Sequence, residues 1–473
     1  MTLPDWVRKW KGKNIEIHRR GNNYYAYRVH SEYDPVKKRS RKVTDEYLGK
    51  ITPDGIIPPK YKRSTKRIME AGNILLVEYF TESLTSILKS IWPDIYESIL
   101  AAAIIKLVYK SPLKRFSFYH EISYLRRLYP NAHLSKNSLT SLLERIGKEW
   151  DLQKEFFRLI SDGSISDGSD YMAIDLTHVF SHSLKLPFNE LGYNSHDIWR
   201  DQINLMLIWA IDAHHPTFLK ILPGSIHSST SLINAIKESS LKGVIAVCDK
   251  GFYSESNLEI LEKDGVHYII GLNRGLKFLK FPSITRYKKN FLYRKSLQWY
   301  YEYDVDGRRV INYLDKVLYG DEERIFFTRI KDGDSPKSEY NKHKNRFGTL
   351  SVITDLGIPA EKIYSLYKER KEIEYAFDAL KNTIESDKTW MQSTERLRGY
   401  FFIVFISLYL YSRILEHLKR KDLLKTYSVD DVLVYLSKVY ATETDYTIIP
   451  TEIPKKTKEL IKKIEIPITQ KLG

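Results

Sequence analysis

The segments YMAIDLTHVFSHS (171–183), QINLMLIWAID (202–212), TFLKILPG (217–224), SSTSLINAIKESSL (228–241), VIAVCD (244–249), YSESNLEILEKDG (253–265) and HYIIGL (267–272) follow one another with short connections. The first three are apolar runs rich in β-branched and aromatic residues, and they read as successive strands. Residues 228–241 carry apolar side chains at helical spacing. VIAVCD is a short buried strand that ends in an acid. Residues 253–265 form a second helix with a glycine stop at Gly265, and HYIIGL is a fifth strand. Three strands, helix, strand, helix, strand is an α/β pattern. Asp175 lies in the first strand, and Asp249 closes the fourth, 74 residues later. Phosphoryl transfer through two hard cations needs clustered carboxylates, because carboxylate oxygens hold such ions. The plain alternative is that an acid ending a buried strand is structural.

Downstream, YSLYKERKEIEYAFDALKN (364–382) is helical by composition. On a helix of about 100° per residue, Tyr367, Arg370, Glu374 and Lys381 project to about 0°, 300°, 340° and 320°, one narrow stripe. Ile373, Phe377 and Leu380 form an adjoining apolar stripe suited to docking on a sheet. One acid and two cations thus share the edge of a buried face. A surface helix with an Arg370–Glu374 ion pair would give the same pattern.

Upstream, residues 1–70 hold 18 Lys/Arg and 8 Asp/Glu, so +10 of the net +16 sits there. NNYYAYRVHSEYDPVKKRSRKVTDEYLGKI reads as two alternating strands around a turn at Asp34-Pro35. Lys37, Lys38, Arg39, Arg41 and Lys42 beside aromatics suit a DNA backbone, or simply a solvated hairpin. Residues 71–160 turn helical, over Thr81–Trp92, Asp94–Tyr109 and Ser138–Ile160, with Ser138 as an expected N-cap. SDGSISDGSD (161–170) reads as a turn-rich linker and the best domain boundary.

The chain of 473 residues has room for several domains, and 42% hydrophobic residues allow a sizeable core. Its positive charge favours a polyanionic partner. One cysteine, Cys248, rules out a disulfide framework and a cysteine-based zinc site, and it reads as a small core residue. The apolar run Tyr400–Tyr411 is 12 residues, short of the roughly 20 that span a membrane, and reads as a buried helix. The opening MTLPDWVRKWKGK lacks an apolar signal core, so the expected location is cytoplasmic, with the nucleoid. His178 and His182 would be about 13 Å apart along a strand, too far to share a metal. His214-His215 before Pro216 reads as a turn. Asp212 competes with Asp249 as second acid.

Y-x2-R-x3-E-x6-K is met without a gap by Tyr367, Arg370, Glu374 and Lys381. It resembles the YREK signature of the insertion-sequence DDE transposases of the IS-four-like group. AIDLT around Asp175, GYNSHDIWRDQINLML (192–207), LPGSIHSSTSL (222–232), VCDKGFYSESNL (247–258) and RGYFFIVFISLYL (398–410) resemble that group too. GYNSHDIWRDQ departs from the more basic-rich version of close relatives and leaves the subgroup open. The resemblance runs from about 170 to 415.

The resemblance implies a ribonuclease-H-like catalytic core, an order of elements that the strand and helix pattern matches by analogy. The core would cover 161–279 and 348–425. It would carry a β-strand insertion at 280–347, where RYKKNFLYRKSLQWYYEYDVDGRRVINYLDKVLYG reads as β-rich. The basic β-hairpin region (1–70) and a helical DNA-binding region (71–160) would precede it, and a basic helical tail (426–473) would follow. Asp175, Asp249 and Glu374 would be the triad holding two magnesium ions (Mg²⁺, with Mn²⁺ as a substitute). Water would cut at the element end, and the freed 3′-hydroxyl would attack target DNA. Tyr367, Arg370 and Lys381 would hold phosphates near the cut. Trp299, within the insertion, would receive a base flipped from the end. The implied partners are double-stranded DNA, as terminal inverted repeats and as target, and a second copy in a synaptic homodimer, with no membrane. Two other classes stay open: a catalytically silent DNA-binding derivative, and a tyrosine recombinase using Tyr367 as nucleophile.

Overall fold

Side chains along the tyrosine-rich N-terminal segment alternate between buried and exposed, as a half-buried sheet requires. In the computed structural model, β1 (Ile15–Arg20), β2 (Asn23–Asp34), β3 (Arg39–Thr52) and β4 (Gly55–Ile57) form an antiparallel meander. β2 and β3 are the expected hairpin, with Asp34 opposite Arg39. Val7, Tyr24, Ala26 and Ile51 form its core, joined by Trp10, Ile17 and Leu48. At Gly49 a Cβ would meet the Ile57 carbonyl oxygen at 2.0 Å, so β3 and β4 can approach only at a glycine.

The structure describes residues 3–35, 38–59, 65–166, 168, 170–192, 199–226, 232, 236, 238–239, 243–333, 337–444 and 447–472. The meander belongs to a unit made of Met1–Leu75, Ile122–Tyr124 and Val434–Gly473; a second unit holds Leu76–Glu121 and Leu125–Leu433.

β5 (Thr65–Glu70) stays in the first unit. The second unit is built on an eleven-stranded mixed sheet. β6 (Tyr171–Ser181), β7 (Glu190–Gly192), β8 (Arg200–Ala210) and β9 (His215–Pro223) come first. β8 pairs antiparallel with β6, β7 and β9. β10 (Ile245–Cys248) and β11 (His267–Leu272) add in parallel on the other side of β6. The expected helix at 228–241 lies largely outside the described residues; the helix Glu255–Lys263 is present, capped by Ser254. β12 (Lys289–Tyr293), β13 (Ser296–Val305), β14 (Arg308–Asp315) and β15 (Thr349–Thr354) extend the same sheet beyond β11, and the short β16 (Lys388–Thr389) pairs with β6.

Helices Glu82–Ile91, Tyr96–Tyr109, Lys136–Lys148 and Trp150–Ser166 pack around the long helix Thr394–Arg420. Gly147 and Gly399 let two of them touch backbone to backbone: a Cβ on Gly399 would lie 2.0 Å from the Leu143 carbonyl oxygen. Phe156 and Phe157 meet Phe402 and Phe405 edge-on. Tyr400–Leu410 is buried throughout. By length and composition the helix could cross a membrane, but 72% of its most apolar stretch is buried inside the protein. That agrees with a core helix.

Four expectations need correction. Residues 161–166 are no linker but the last turns of Trp150–Ser166. Ser161 and Ser164 are buried there, and the Ser164 hydroxyl donates to the Ile160 carbonyl (2.9 Å), so a polar residue continues the helix. Apart from Ile122–Tyr124, the segment from 76 therefore shares its unit with the sheet. The segment 280–347 is extended only to Asp315. Asp315 then caps the helix Lys316–Lys331, accepting from the amides of Val317 (2.9 Å) and Leu318 (3.2 Å). The tail after 426 is not wholly helical. Between the helices Val429–Leu436 and Lys455–Ile464 lie β17 (Tyr440–Thr444) and β18 (Ile448–Pro450), and β17 pairs with β5. Finally, Ser135 rather than Ser138 caps Lys136–Lys148; Ser138 supplies the amide it accepts.

Candidate active site

β10 lies beside β6 with Cys248 opposite Ile174, so the next residue on each strand is an acid, Asp249 and Asp175. Parallel pairing of two neighbouring strands is enough to bring residues 74 apart in sequence together. The third acid arrives on the helix Lys371–Asp378, which follows Ala360–Glu369 with a break at Arg370. Ile373, Ala376 and Phe377 bury the sheet side of that helix and leave Glu374 at its edge.

Arg370 stands among the three acids. Its Nη1 donates to Asp175 Oδ2 (3.1 Å), and its Nη2 donates to Glu374 Oε1 (3.0 Å) and lies 3.6 Å from Asp249 Oδ1. The guanidinium is 10% exposed, Asp175 19%, Asp249 36% and Glu374 45%, so the cluster grades from a closed floor to an open mouth. Burial, opposed by Arg370, pushes the Asp175 carboxyl up to about 6. The Asp175 carboxylate also accepts from the Leu176 amide (2.8 Å). The buried Arg370 Nε has no hydrogen-bond partner among the described residues.

Tyr367 lies under the same cluster, its hydroxyl donating to Asp249 Oδ1 (3.2 Å) and its ring 5.7 Å from the guanidinium. Burial raises its pKa well above that of a free phenol. Gly271 on β11 makes the room: a Cβ there would meet the hydroxyl at 2.2 Å. A buried phenol bonded to a carboxylate is poorly placed as a nucleophile.

Lys381 does not join the cluster by any contact to the three acids among the described residues. The α-helix gives way to a π-turn at Ala379–Thr383, which widens the spiral and breaks the straight projection on which the stripe rested. Lys381 is half-buried, which lowers its pKa, and its charged neighbour is Asp387. Asp387 also faces Lys106, a buried lysine that the sequence did not single out. The Lys106 ammonium donates to the Glu385 carbonyl (3.2 Å), and burial brings its pKa down to about 8.

Trp299 sits in β13 between Asn290 and Leu314, half-buried, with the Lys316 ammonium 3.7 Å from its ring centre. Lys38, Arg39, Arg41 and Lys42 are exposed at the β2–β3 turn, and Arg41 pairs with Glu32 (3.0 Å). Lys37 lies outside the described residues. Asp212 is exposed beyond the end of β8, near Tyr171 at the start of β6, four residues before Asp175, and makes no hydrogen bond or ion pair to the cluster among the described residues.

The same helix carries a second charged group on its other side. Glu372 lies 2.6 Å from His214 Nδ1 and 3.7 Å from Lys419, and Glu416 is near His214, Lys419 and Arg420. Glu372, His214, Glu416 and Lys419 line a cavity of about 520 Å³ with Trp209, Tyr375 and Tyr411.

As arranged, no three acidic, histidine or cysteine side chains among the described residues stand close enough to share one metal ion, because the carboxylates turn to a guanidinium. The donor set itself, three carboxylates and no sulfur or imidazole, is that of a hard divalent cation. Three acids against one cation also leave uncompensated negative charge.

No curated protein matches the sequence. Among solved structures, the chain is similar to that described as "Cryo-EM structure of piggyBac transposase synaptic complex with hairpin DNA", at 11% identity and a TM-score of 0.39, over 80% of this chain and 81% of that one. Residues 170–410, half of the chain, match the family described as "Transposase DDE domain". That span contains all three acids and Arg370, and the protein belongs to the DDE transposases.

Proposed function

We propose that the protein is the transposase of an insertion sequence of the YREK-bearing kind, acting on DNA in the cytoplasm. It binds double-stranded DNA at the terminal inverted repeats, cuts phosphodiester bonds there and joins the 3′-hydroxyl ends to target DNA as a homodimer. The observation that carries this reading is the convergence of Asp175, Asp249 and Glu374, from two strands and a distant helix, on one buried guanidinium. The order β9-β8-β6-β10-β11 supports a ribonuclease-H-like core.

Asp175, Asp249 and Glu374 would hold two Mg²⁺ ions, which supply activation of the attacking oxygen and stabilisation of the leaving one. Without them, Arg370 offsets part of the acids' mutual repulsion. Its two-pronged donor geometry also suits a phosphate oxygen at the mouth. Tyr367 positions Asp249 through its hydrogen bond. Lys381, Trp299 and the turn cations Lys38, Arg39, Arg41 and Lys42 would touch DNA away from the acids.

The test is cleavage of a supercoiled plasmid carrying the DNA that flanks the gene, with the full-length protein and Mg²⁺. Nicked and linear products that vanish in Asp175→Ala, Asp249→Ala and Glu374→Ala are expected, with DNA binding retained. Cleavage by any of these variants at the wild-type rate would remove that residue from the site. A protein–DNA adduct at Tyr367 would replace the whole mechanism.

A further inference from the structure

Strand β6 carries Asp175 near its middle and reaches Ser181 six residues later. At about 3.3 Å per residue, that end lies about 20 Å from the carboxylates. β16 is fastened there. Lys388 pairs with Phe180 and Thr389 with Ser181, and the His182 amide donates to the Thr389 carbonyl (2.9 Å). The Ser183 hydroxyl (3.2 Å) and the Leu184 amide (3.3 Å) both donate to Gln392 Oε1. These bonds hold the backbone before Trp390 and the Gln392 side chain after it.

Trp390 itself points outward and is 64% exposed. One face of its indole lies nearly parallel to the His182 ring, with centroids 5.4 Å apart and planes at 12°. A large apolar ring is thus fixed in orientation without being buried. Lys388, two residues before Trp390, is exposed and pairs with Asp387 (3.5 Å), and Lys185, three residues after His182, is exposed as well. Trp299, by comparison, already has an ammonium over its ring. An open aromatic face with flanking cations is the arrangement that stacks a nucleobase while the charges follow its backbone.

We propose that Trp390 receives a base unstacked from bound DNA, extending the His182–Trp390 stack by one ring, at a point about 20 Å along β6 from the carboxylates. The inference rests on the transposase reading for its ligand.

Full-length protein would be titrated into a short single-stranded oligodeoxynucleotide carrying 2-aminopurine, followed by fluorescence. Stacking should quench the probe. Trp390→Ala should remove most of the quenching and weaken binding about fivefold or more, while Trp390→Phe retains much of both. The slope of affinity against salt should stay unchanged in Trp390→Ala, because no phosphate contact is lost, whereas Lys388→Ala should reduce it. A folded Trp390→Ala protein with wild-type quenching and affinity would overturn the proposal. So would a variant that alters only the oligomeric state, which would assign the ring to a second copy. Wild-type protein that binds and quenches through Trp390 yet cuts no DNA in Mg²⁺ would sink the catalytic reading and leave this surface standing.

Discussion

The helix Lys371–Asp378 carries charged clusters on two sides, and they differ in balance. On one side, among the described residues, three acids share a single permanent cation, Arg370. On the other, Glu372 and Glu416 face Lys419, Arg420 and His214. A partly buried cluster with matched charges, its Lys419 and Arg420 still open to solvent, offsets much of its own desolvation and can serve as structure. A cluster left with excess negative charge is costly until a cation arrives, and that is the condition expected of a metal-dependent site. Proximity of acids is common to both; the imbalance separates them.

The comparison breaks most visibly in activity. Alanine at Asp175, Asp249 or Glu374 should lower plasmid cleavage by about a thousandfold or more, while Glu372→Gln should stay within a few fold. Equal losses on the two sides would erase the distinction between them.

Acid titration should distinguish the clusters next. Between about pH 4 and 6 the folded chain keeps a proton on Asp175 that the unfolded chain releases, because its pKa rises from 3.8 to about 6. Rising pH therefore costs the cation-free protein stability across that window, about 3 kcal/mol in all. His214, raised mainly by its bond to Glu372, contributes fully below its ordinary 6.5 and loses that contribution as pH climbs through the raised value. Asp175→Asn should flatten the lower window only, and His214→Gln the upper only, in thermal melts across pH. A wild-type slope between pH 4 and 6 in Asp175→Asn would break the assignment.

Divalent cation provides a sharper contrast of slightly smaller size. Mg²⁺ at a hundred times its dissociation constant should stabilise the wild type by about 2.7 kcal/mol. Chelator should reverse the gain, and the three alanine variants should show little of it. A gain that survives in all three places the ion elsewhere.

Stability should move oppositely on the two sides. Glu372→Ala strips His214 and Lys419 of a partner and should cost about 1–3 kcal/mol. Glu374→Ala relieves repulsion around Arg370 and should be neutral or stabilising without metal, as denaturant melts would reveal. The smallest expected effect is at Tyr367: phenylalanine should keep cleavage within about tenfold, because it removes a single 3.2 Å hydrogen bond to the Asp249 carboxylate and leaves that acid in place.

Much of this was legible in local pattern. The alternation around Tyr24 and Ala26, the strand–helix rhythm from 171 to 272, and the stripe of Tyr367, Arg370 and Glu374 all follow from periodicity, which nearest neighbours set. What failed was decided by distant packing. Glycine and serine at 161–166 suggest a break, yet a helix buried against Phe402 and Phe405 overrides that preference. A π-turn diverts Lys381 from its stripe, and β17 joins β5 across more than three hundred residues of sequence. Nothing near residue 390 announces that its indole will lie on His182, since β16 is two residues long and forms only on the end of β6. The sequence by itself determined which side chains could do the chemistry and on which local elements they ride. The tertiary structure alone decided that Arg370 stands among the three acids, because that meeting depends on parallel strand pairing and on one helix docking across 125 residues of chain.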